Sequence, residues 1–200
     1  YKSPVIGGPY RKCNDGFISS VIDFNVNANL AFMIDVKDYI IDGKVNQPLL
    51  KDIIKPSSIF KICRVAAKYN EIKYISEIAT YIADSYGALY PSDVNNLFKN
   101  FNINGIHTHD NMGLAFANCL EAINQGSNYI DGTLTGMGRG VGNVTTEQLL
   151  THRGEINSDL LDCIDKFNKM KKHYGWGTNA LYHKAGKEHI HPLYMQDLNQ

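Results

Sequence analysis

The chain has 200 residues, 44% of them hydrophobic, enough to bury one substantial core. Its 20 basic and 20 acidic residues cancel, which argues against a nucleic-acid face or an anionic-membrane surface as its main business. No apolar run approaches bilayer-spanning length, and Tyr1-Lys2-Ser3-Pro4 is not a secretory signal. With Cys13, Cys63, Cys119 and Cys163 scattered and no C-x-x-C pair, the expectation is a reduced, cytoplasmic protein with no membrane or nucleic-acid partner.

In chain order, the first 30 residues are rich in turn signals: Gly7-Gly8-Pro9, Asn14-Asp15-Gly16 and a polar run over 25–29. Residues 30–35, Leu-Ala-Phe-Met-Ile-Asp, predict a buried strand ending in a carboxylate. Residues 59–65 predict a second, with Arg64 near its end. Helical spacing over 74–79 runs into a third strand, 80–85, that closes on Asp84-Ser85. Pro91 opens a helix with Ser92 and Asp93 in its first turn, reaching about Lys99. A fourth strand covers 103–107 with a helix over 113–124 behind it. A fifth covers 128–133 and leads into a glycine-rich loop over 136–142. From about Asp159 the pattern changes to an amphipathic helix over 160–170, then an aromatic, histidine-rich tail over 174–200.

Alternating strands and helices, with polar groups gathered at strand C-termini, predict an α/β fold: an incomplete TIM (β/α)8-type barrel with a C-terminal helical, aromatic tail. Residues 1–156 are expected to form the partial barrel and 157–200 a helical extension packing on it. A closed barrel takes about 250 residues, and only five strands are evident here. The expectation is that segments before Tyr1 and around Asn70 to Lys73 are missing from this stretch of the natural protein. A natural mass near 22.4 kDa would refute it.

The chemistry centres on Gly105-Ile106-His107-Thr108-His109-Asp110-Asn111. Side chains at i and i+2 on a strand share a face, so His107 and His109 emerge together at a strand end. An isolated H-x-H is better explained by two histidines paired with neighbouring groups, or by one buried and one exposed. Here the pair closes a strand, precedes a helix, and has Asp110 and Asn111 beside it to steady the rings. Asn143, beyond the glycine-rich loop, brings a hard oxygen. Two imidazoles with oxygen ligands suit Mn²⁺ or Mg²⁺ foremost, and Zn²⁺ as a third option. Asp84 either bonds the loop that follows it or orients a ligand histidine, and Ser85 is placed to hold a substrate carboxylate. Arg64, at a strand end, suits stabilisation of an enolate or carboxylate, and Arg139 suits an acidic substrate group. Tyr86, Tyr182 and His183 are the candidate bases. His189 and His191 repeat the H-x-H spacing, but their Pro192 and aromatic setting suit a covering tail rather than a second metal site.

The run from Gly105 to Leu150, G-I-H-T-H-D-N-M-G-L-A-F-A-N-C-L-E-A-I-N-Q-G-S-N-Y-I-D-G-T-L-T-G-M-G-R-G-V-G-N-V-T-T-E-Q-L-L, resembles the end of the barrel in the HMG-CoA lyase-like (DRE-TIM type) metal-dependent aldolase and lyase family. Ala83 to Pro91 resembles the family's preceding strand, with Asp84-Ser85 as in its pyruvate aldolase branch. Trp176-Gly177-Thr178-Asn179 and His191-Pro192-Leu193-Tyr194-Met195-Gln196 look like the 4-hydroxy-2-oxovalerate aldolase-like branch found with surface-polysaccharide biosynthesis.

The resemblance implies a divalent metal on His107, His109 and Asn143; the residues' own positions at strand ends and in the loops suggest catalytic roles for Arg64, Asp84 and Arg139 and substrate contacts from Ser85 and Tyr86. The resemblance also implies aldol chemistry on a 2-oxo acid such as pyruvate with an aldehyde partner, through a metal-stabilised enolate. The aromatic tail itself suits a packed helical subdomain first, and otherwise a cover over the barrel mouth or the contact of a homodimer. The family's first-strand D-x-x-R-D-G motif has no counterpart in these 200 residues. Two further readings stay open: an acyl-CoA-dependent Claisen-type synthase, and a degenerate barrel serving as a binding module.

Overall fold

The computed structural model describes residues 14–22, 29–46, 48–49, 51, 59–66, 74, 80–138, 140–190 and 194–195. The chain divides into two compact units, residues 1–82 and 83–200.

In the first unit, α1 (Asp15–Val21) opens on Asn14, whose side chain accepts the Phe17 N–H at 3.1 Å. The turn expected at Asn14-Asp15-Gly16 is therefore a helix cap and first turn. Asn favours both settings for one reason: its short side chain bonds nearby backbone donors. Asp15 Oδ2 also accepts the Ile59 N–H at 3.2 Å, tying α1 to the residue that leads into the strand from Phe60.

β1 (Leu30–Asp35) ends where the Asp35 carboxylate accepts the Lys37 N–H, starting a 3-10 turn over Val36–Tyr39. A short antiparallel hairpin follows, β2 (Ile40–Ile41) and β3 (Lys44–Val45). Its turn residues Asp42 and Gly43 both have positive φ, 50° and 71°, as a two-residue hairpin of primed type requires. β4 (Phe60–Ala66) pairs in parallel with β1, setting Phe32 opposite Cys63 and Ile34 opposite Val65. Alternation on β1 buries Phe32 and Ile34 with Val36, Tyr39 and Val65, and Phe60 packs edge-on to Phe32 at 5.5 Å between ring centres.

A three-stranded sheet follows in the order β5 (Thr80–Asp84), β6 (Ile103–Thr108), β7 (Tyr129–Asp131), with β6 and β7 parallel; the second unit takes it from Ala83 onward. α2 (Pro91–Asn100) connects β5 to β6 and buries Val94 and Leu97. α3 (Ala115–Asn124) connects β6 to β7 and buries Ala115, Asn118, Cys119 and Ala122, an i, i+3, i+4, i+7 face. Three further helices follow: α4 (Thr146–Arg153), α5 (Ser158–His173) and α6 (Ala180–Lys187).

The five strands expected from sequence are β1, β4, β5, β6 and β7, each within two residues of its expected bounds. The helix expected over 74–79 lies outside the described residues apart from Tyr74. No described helix is long and apolar enough to cross a membrane.

Candidate metal centre

From Ile106 onward β6 alternates between core and site. Ile106 and Thr108 are fully buried, whereas His107 and His109 lie half-buried on the opposite face with their rings edge-to-face at 4.9 Å. The buried face is pinned by Thr108 Oγ1, which lies 3.3 Å from both the Ala115 carbonyl and Cys119 Sγ on α3. Packing behind the strand thus fixes where the two imidazoles project.

Both rings have an oxygen beside Nδ1. His109 Nδ1 is 2.7 Å from the Asp84 main-chain carbonyl. A carbonyl only accepts, so this contact assigns the proton to Nδ1 of the neutral ring. His107 Nδ1 lies 3.2 Å from Asp131 Oδ2, directly opposite on β7, close enough for an ion pair but without a hydrogen bond.

Asn143 arrives by a different route. Its backbone bridges to His109, and the bonds on either side, Asp110 N–H to Gly142 O at 3.0 Å and Val144 N–H to Thr108 O at 3.3 Å, lay the loop along the end of β6. The Asn143 amide donates Nδ2 to Met137 O at 3.1 Å and Thr133 Oγ1 at 3.4 Å, while Oδ1 is buried and has no hydrogen-bond partner. A buried carbonyl oxygen left without a donor is costly. One held this way, on a residue bridged by backbone to His109, has the chemistry of a hard-metal ligand. Three glycines make room for it. A Cβ on Gly138 would stand 2.5 Å from Asn143 Nδ2, one on Gly136 2.7 Å from Asn143 O, and one on Gly142 would strike Gly136 O. Among the described residues, no three His, Cys, Asp or Glu side chains are grouped to hold a metal.

The flanking residues do structural work. The Asp84 carboxylate, 6% exposed, accepts the N–H groups of Ala88 and Leu89 at 3.1 Å each. Burial pushes its pKa above the usual carboxylate value, against the lowering effect of these backbone donors. Its side chain therefore holds the loop while its carbonyl orients His109. Asp110 accepts the Ala115 N–H at 3.0 Å and so serves α3, not the imidazoles. Asn111 donates to Tyr182 O at 3.2 Å, and Gly87 and Gly186 approach it too closely to carry a Cβ. That contact seats α6 against the turn after β6.

A sequence model described as HMGL-like matches residues 37–160. The chain belongs to the HMGL-like family.

Its relatives include the 4-hydroxy-2-oxovalerate aldolase of Carboxydothermus hydrogenoformans, 44% identical over 77 residues, which is 36% of this chain and 23% of that protein. The oxaloacetate decarboxylase of Mycobacterium tuberculosis is 31% identical over 144 residues, 64% of this chain and 43% of that protein. This HMGL-like chain thus spans less than half the length of these curated relatives. The N-terminal domain of a protein assigned as an aldolase from Bacteroides vulgatus superposes with a TM-score of 0.65 at 25% identity, over 86% of this chain and 73% of that one. The carboxyl transferase domain of Rhizobium etli pyruvate carboxylase shares the fold, with a TM-score of 0.59 at 15% identity over 84% of this chain and 33% of that one.

Within this HMGL-like chain, Asp84, Ser85, Tyr86, His107, His109 and Asn143 all fall on the second unit. Ser85 is exposed on the turn after β5, and the Tyr86 ring lies 6.3 Å from that of His189. Arg64 belongs to the first unit, where its guanidinium stacks over Tyr81 at 4.9 Å from the ring centre. Of the other candidates, Tyr182 is buried and His183 exposed on α6, while Arg139 and His191 lie outside the described residues. Sequence reasoning missed the hydrogen-bond set around Asn143 made by Thr133 and Met137, and the Asp131 carboxylate behind His107. The latter had a signal: it ends the parallel strand next to β6.

Proposed function

We propose that this chain carries the metal-binding part of a carbon–carbon lyase, an aldolase acting on a 2-oxo acid with an aldehyde partner. The observation that carries the reading is the buried, unpartnered Oδ1 of Asn143, bridged by backbone to a histidine whose Nδ1 is committed to the Asp84 carbonyl. His107, His109 and Asn143 would hold a divalent ion, with Mn²⁺ and Mg²⁺ favoured by the oxygen-containing set and Zn²⁺ compatible with the imidazoles. A bound divalent ion supplies Lewis acidity to a 2-oxo acid.

The chain's own residues do the rest. The Asp84 carbonyl keeps the proton of the neutral His109 ring on Nδ1, and Asp131 stands beside His107 Nδ1. The exposed Ser85 hydroxyl is placed to bind a substrate carboxylate, with Tyr86 next to it. Arg64 and Arg139 remain the proposed cationic stabilisers of negative charge. Residues 157–200 form a helical extension of the barrel, a reading supported by the bond from Gly177 N–H to Gly140 O at 3.0 Å. The substrates are small molecules in the cytoplasm, and the chain pairs as a homodimer.

The test is exchange of pyruvate methyl protons in D₂O, followed by NMR with and without Mn²⁺ on the full-length natural protein. Metal-dependent exchange lost in His109→Ala is the expected result. Exchange indifferent to both metal and His109 would overturn the reading.

A further inference from the structure

The loop that positions Asn143 contains a residue in an unfavourable backbone conformation. Thr135, within the 3-10 turn Leu134–Gly136, has φ 58° and ψ 16°, the left-handed region that a β-branched side chain rarely adopts. It is 4% exposed, and its Oγ1 is buried with no hydrogen-bond partner. Nothing made by the side chain explains why the backbone stays there.

The backbone of the same residue is gripped from both sides by charged groups on two different helices. Its N–H donates to Glu147 Oε2 on α4 at 3.0 Å, and its carbonyl accepts from Lys171 Nζ on α5 at 2.7 Å. Hydrogen bonds to ionised partners are roughly twice as strong as neutral ones. An anion on the N–H and a cation on the carbonyl together fix the orientation of both peptide planes flanking Thr135.

Those planes lead directly to Asn143. Thr133 Oγ1 and Met137 O accept from its amide, and Gly136 O accepts its N–H at 3.2 Å. Every group that orients Asn143 within this loop lies within two residues of Thr135. Relaxation of Thr135 to negative φ would rotate the peptide leading to Gly136 and displace those acceptors.

We propose that Lys171 and Glu147 are positioning residues: they clamp Thr135 in its left-handed conformation and so hold Asn143 Oδ1 where a divalent ion takes it as a ligand. The inference rests on the metal-centre reading above. It gives α5 a role in the site although Lys171 touches no candidate ligand.

The test is Mn²⁺ affinity, measured by EPR of the free ion, on the metal-free full-length protein well below its melting temperature. Lys171→Met is expected to weaken Mn²⁺ binding roughly 10-fold, the scale of losing an outer-shell support, and Lys171→Arg to restore most of it. Thr135→Gly removes the strain, so Lys171→Met should cost much less in that background. A residue that served stability alone would show no such suppression. If Lys171→Met does not fold, Glu147→Gln, which weakens the other arm of the clamp, is compared with and without Thr135→Gly in the same way, and the same two outcomes overturn the proposal. Unchanged Mn²⁺ affinity in Lys171→Met, or an equal loss with and without Thr135→Gly, overturns the clamp. Absence of Mn²⁺ binding by the unsubstituted protein, with His109→Ala no different, overturns the metal-centre reading itself.

Discussion

His109 Nδ1 meets the main-chain carbonyl of Asp84 at 2.7 Å, so the residue that ends β5 sets the tautomer of the histidine that follows β6. The Asp84 side chain meanwhile holds the loop that leaves the same strand. One residue thus carries two duties through different atoms, and a change in its side chain reaches the second through the first.

Asp84→Asn keeps a single acceptor oxygen and turns an amide N–H₂ toward a backbone donor. With two buried N–H partners at stake, the expected loss is about 1–3 kcal/mol of folding stability, read by urea denaturation. Metal affinity should fall with it, because the carbonyl that orients His109 moves with the loop. Unaltered stability would show that the loop does not depend on the carboxylate.

Asn143→Asp keeps an oxygen for a metal but sets a carboxylate against the Met137 carbonyl and Thr133 hydroxyl that the amide now serves. The metal-free protein should lose about 1–3 kcal/mol. A bound divalent cation should recover much of it, so the rise in melting temperature on adding Mn²⁺ should exceed that of the unsubstituted protein. Equal rises would separate Asn143 from the metal.

Gly138→Ala and Gly142→Ala should part company. A methyl on Gly138 meets the Asn143 side-chain amide, and the cost falls on Mn²⁺ affinity, with a smaller effect on the melting temperature. At Gly142 the φ is +90° and the obstacle is backbone, so the variant should lose at least about 2 kcal/mol of stability. Calorimetry of both metal-free variants, paired with Mn²⁺ titration, checks the contrast.

Burial pushes the Cys119 thiol up to about 11, from an ordinary value of 9.0. Below pH 9 both folded and unfolded chains keep the proton, and the group's contribution is complete. Between pH 9 and 11 only the unfolded chain ionises, so roughly 3 kcal/mol drains away. The stability gap between the unsubstituted protein and Cys119→Ala should therefore shrink across that window. At pH 8 iodoacetamide should label exposed Cys163 in the folded protein and spare buried Cys119.

The sequence made the parallel strands legible because apolar runs such as Leu30-Ala31-Phe32-Met33-Ile34 are bounded by polar strand ends. It also made His107 and His109 legible, since strand period alone puts them on one face. Other elements left usable signals that were weak one at a time. Asp42-Gly43 between Ile40-Ile41 and Lys44-Val45 is a hairpin pattern. Thr145, whose hydroxyl accepts the Gln148 N–H at 3.2 Å, opens α4, and Gly154 at φ 73° closes it. Asn179 caps α6 inside a stretch dominated by aromatic residues. The grip of Glu147 and Lys171 on Thr135 had no local signature. It joins residues 12 and 36 positions apart, and a left-handed threonine is dictated by tertiary contacts rather than by its own preference.

From Ile106 to His109, β6 presents the hydrophobic interior on one face and both imidazoles on the other, one residue out of step. The strand therefore has parity. Removing or adding one residue inside it would drive two imidazoles into the apolar interior and turn Ile106 toward the metal position, disabling packing and chemistry at a stroke. A two-residue change would preserve both faces and only shift them along the sheet. Length variation within this strand should thus be tolerated in even steps, while the connections on either side are free of that constraint.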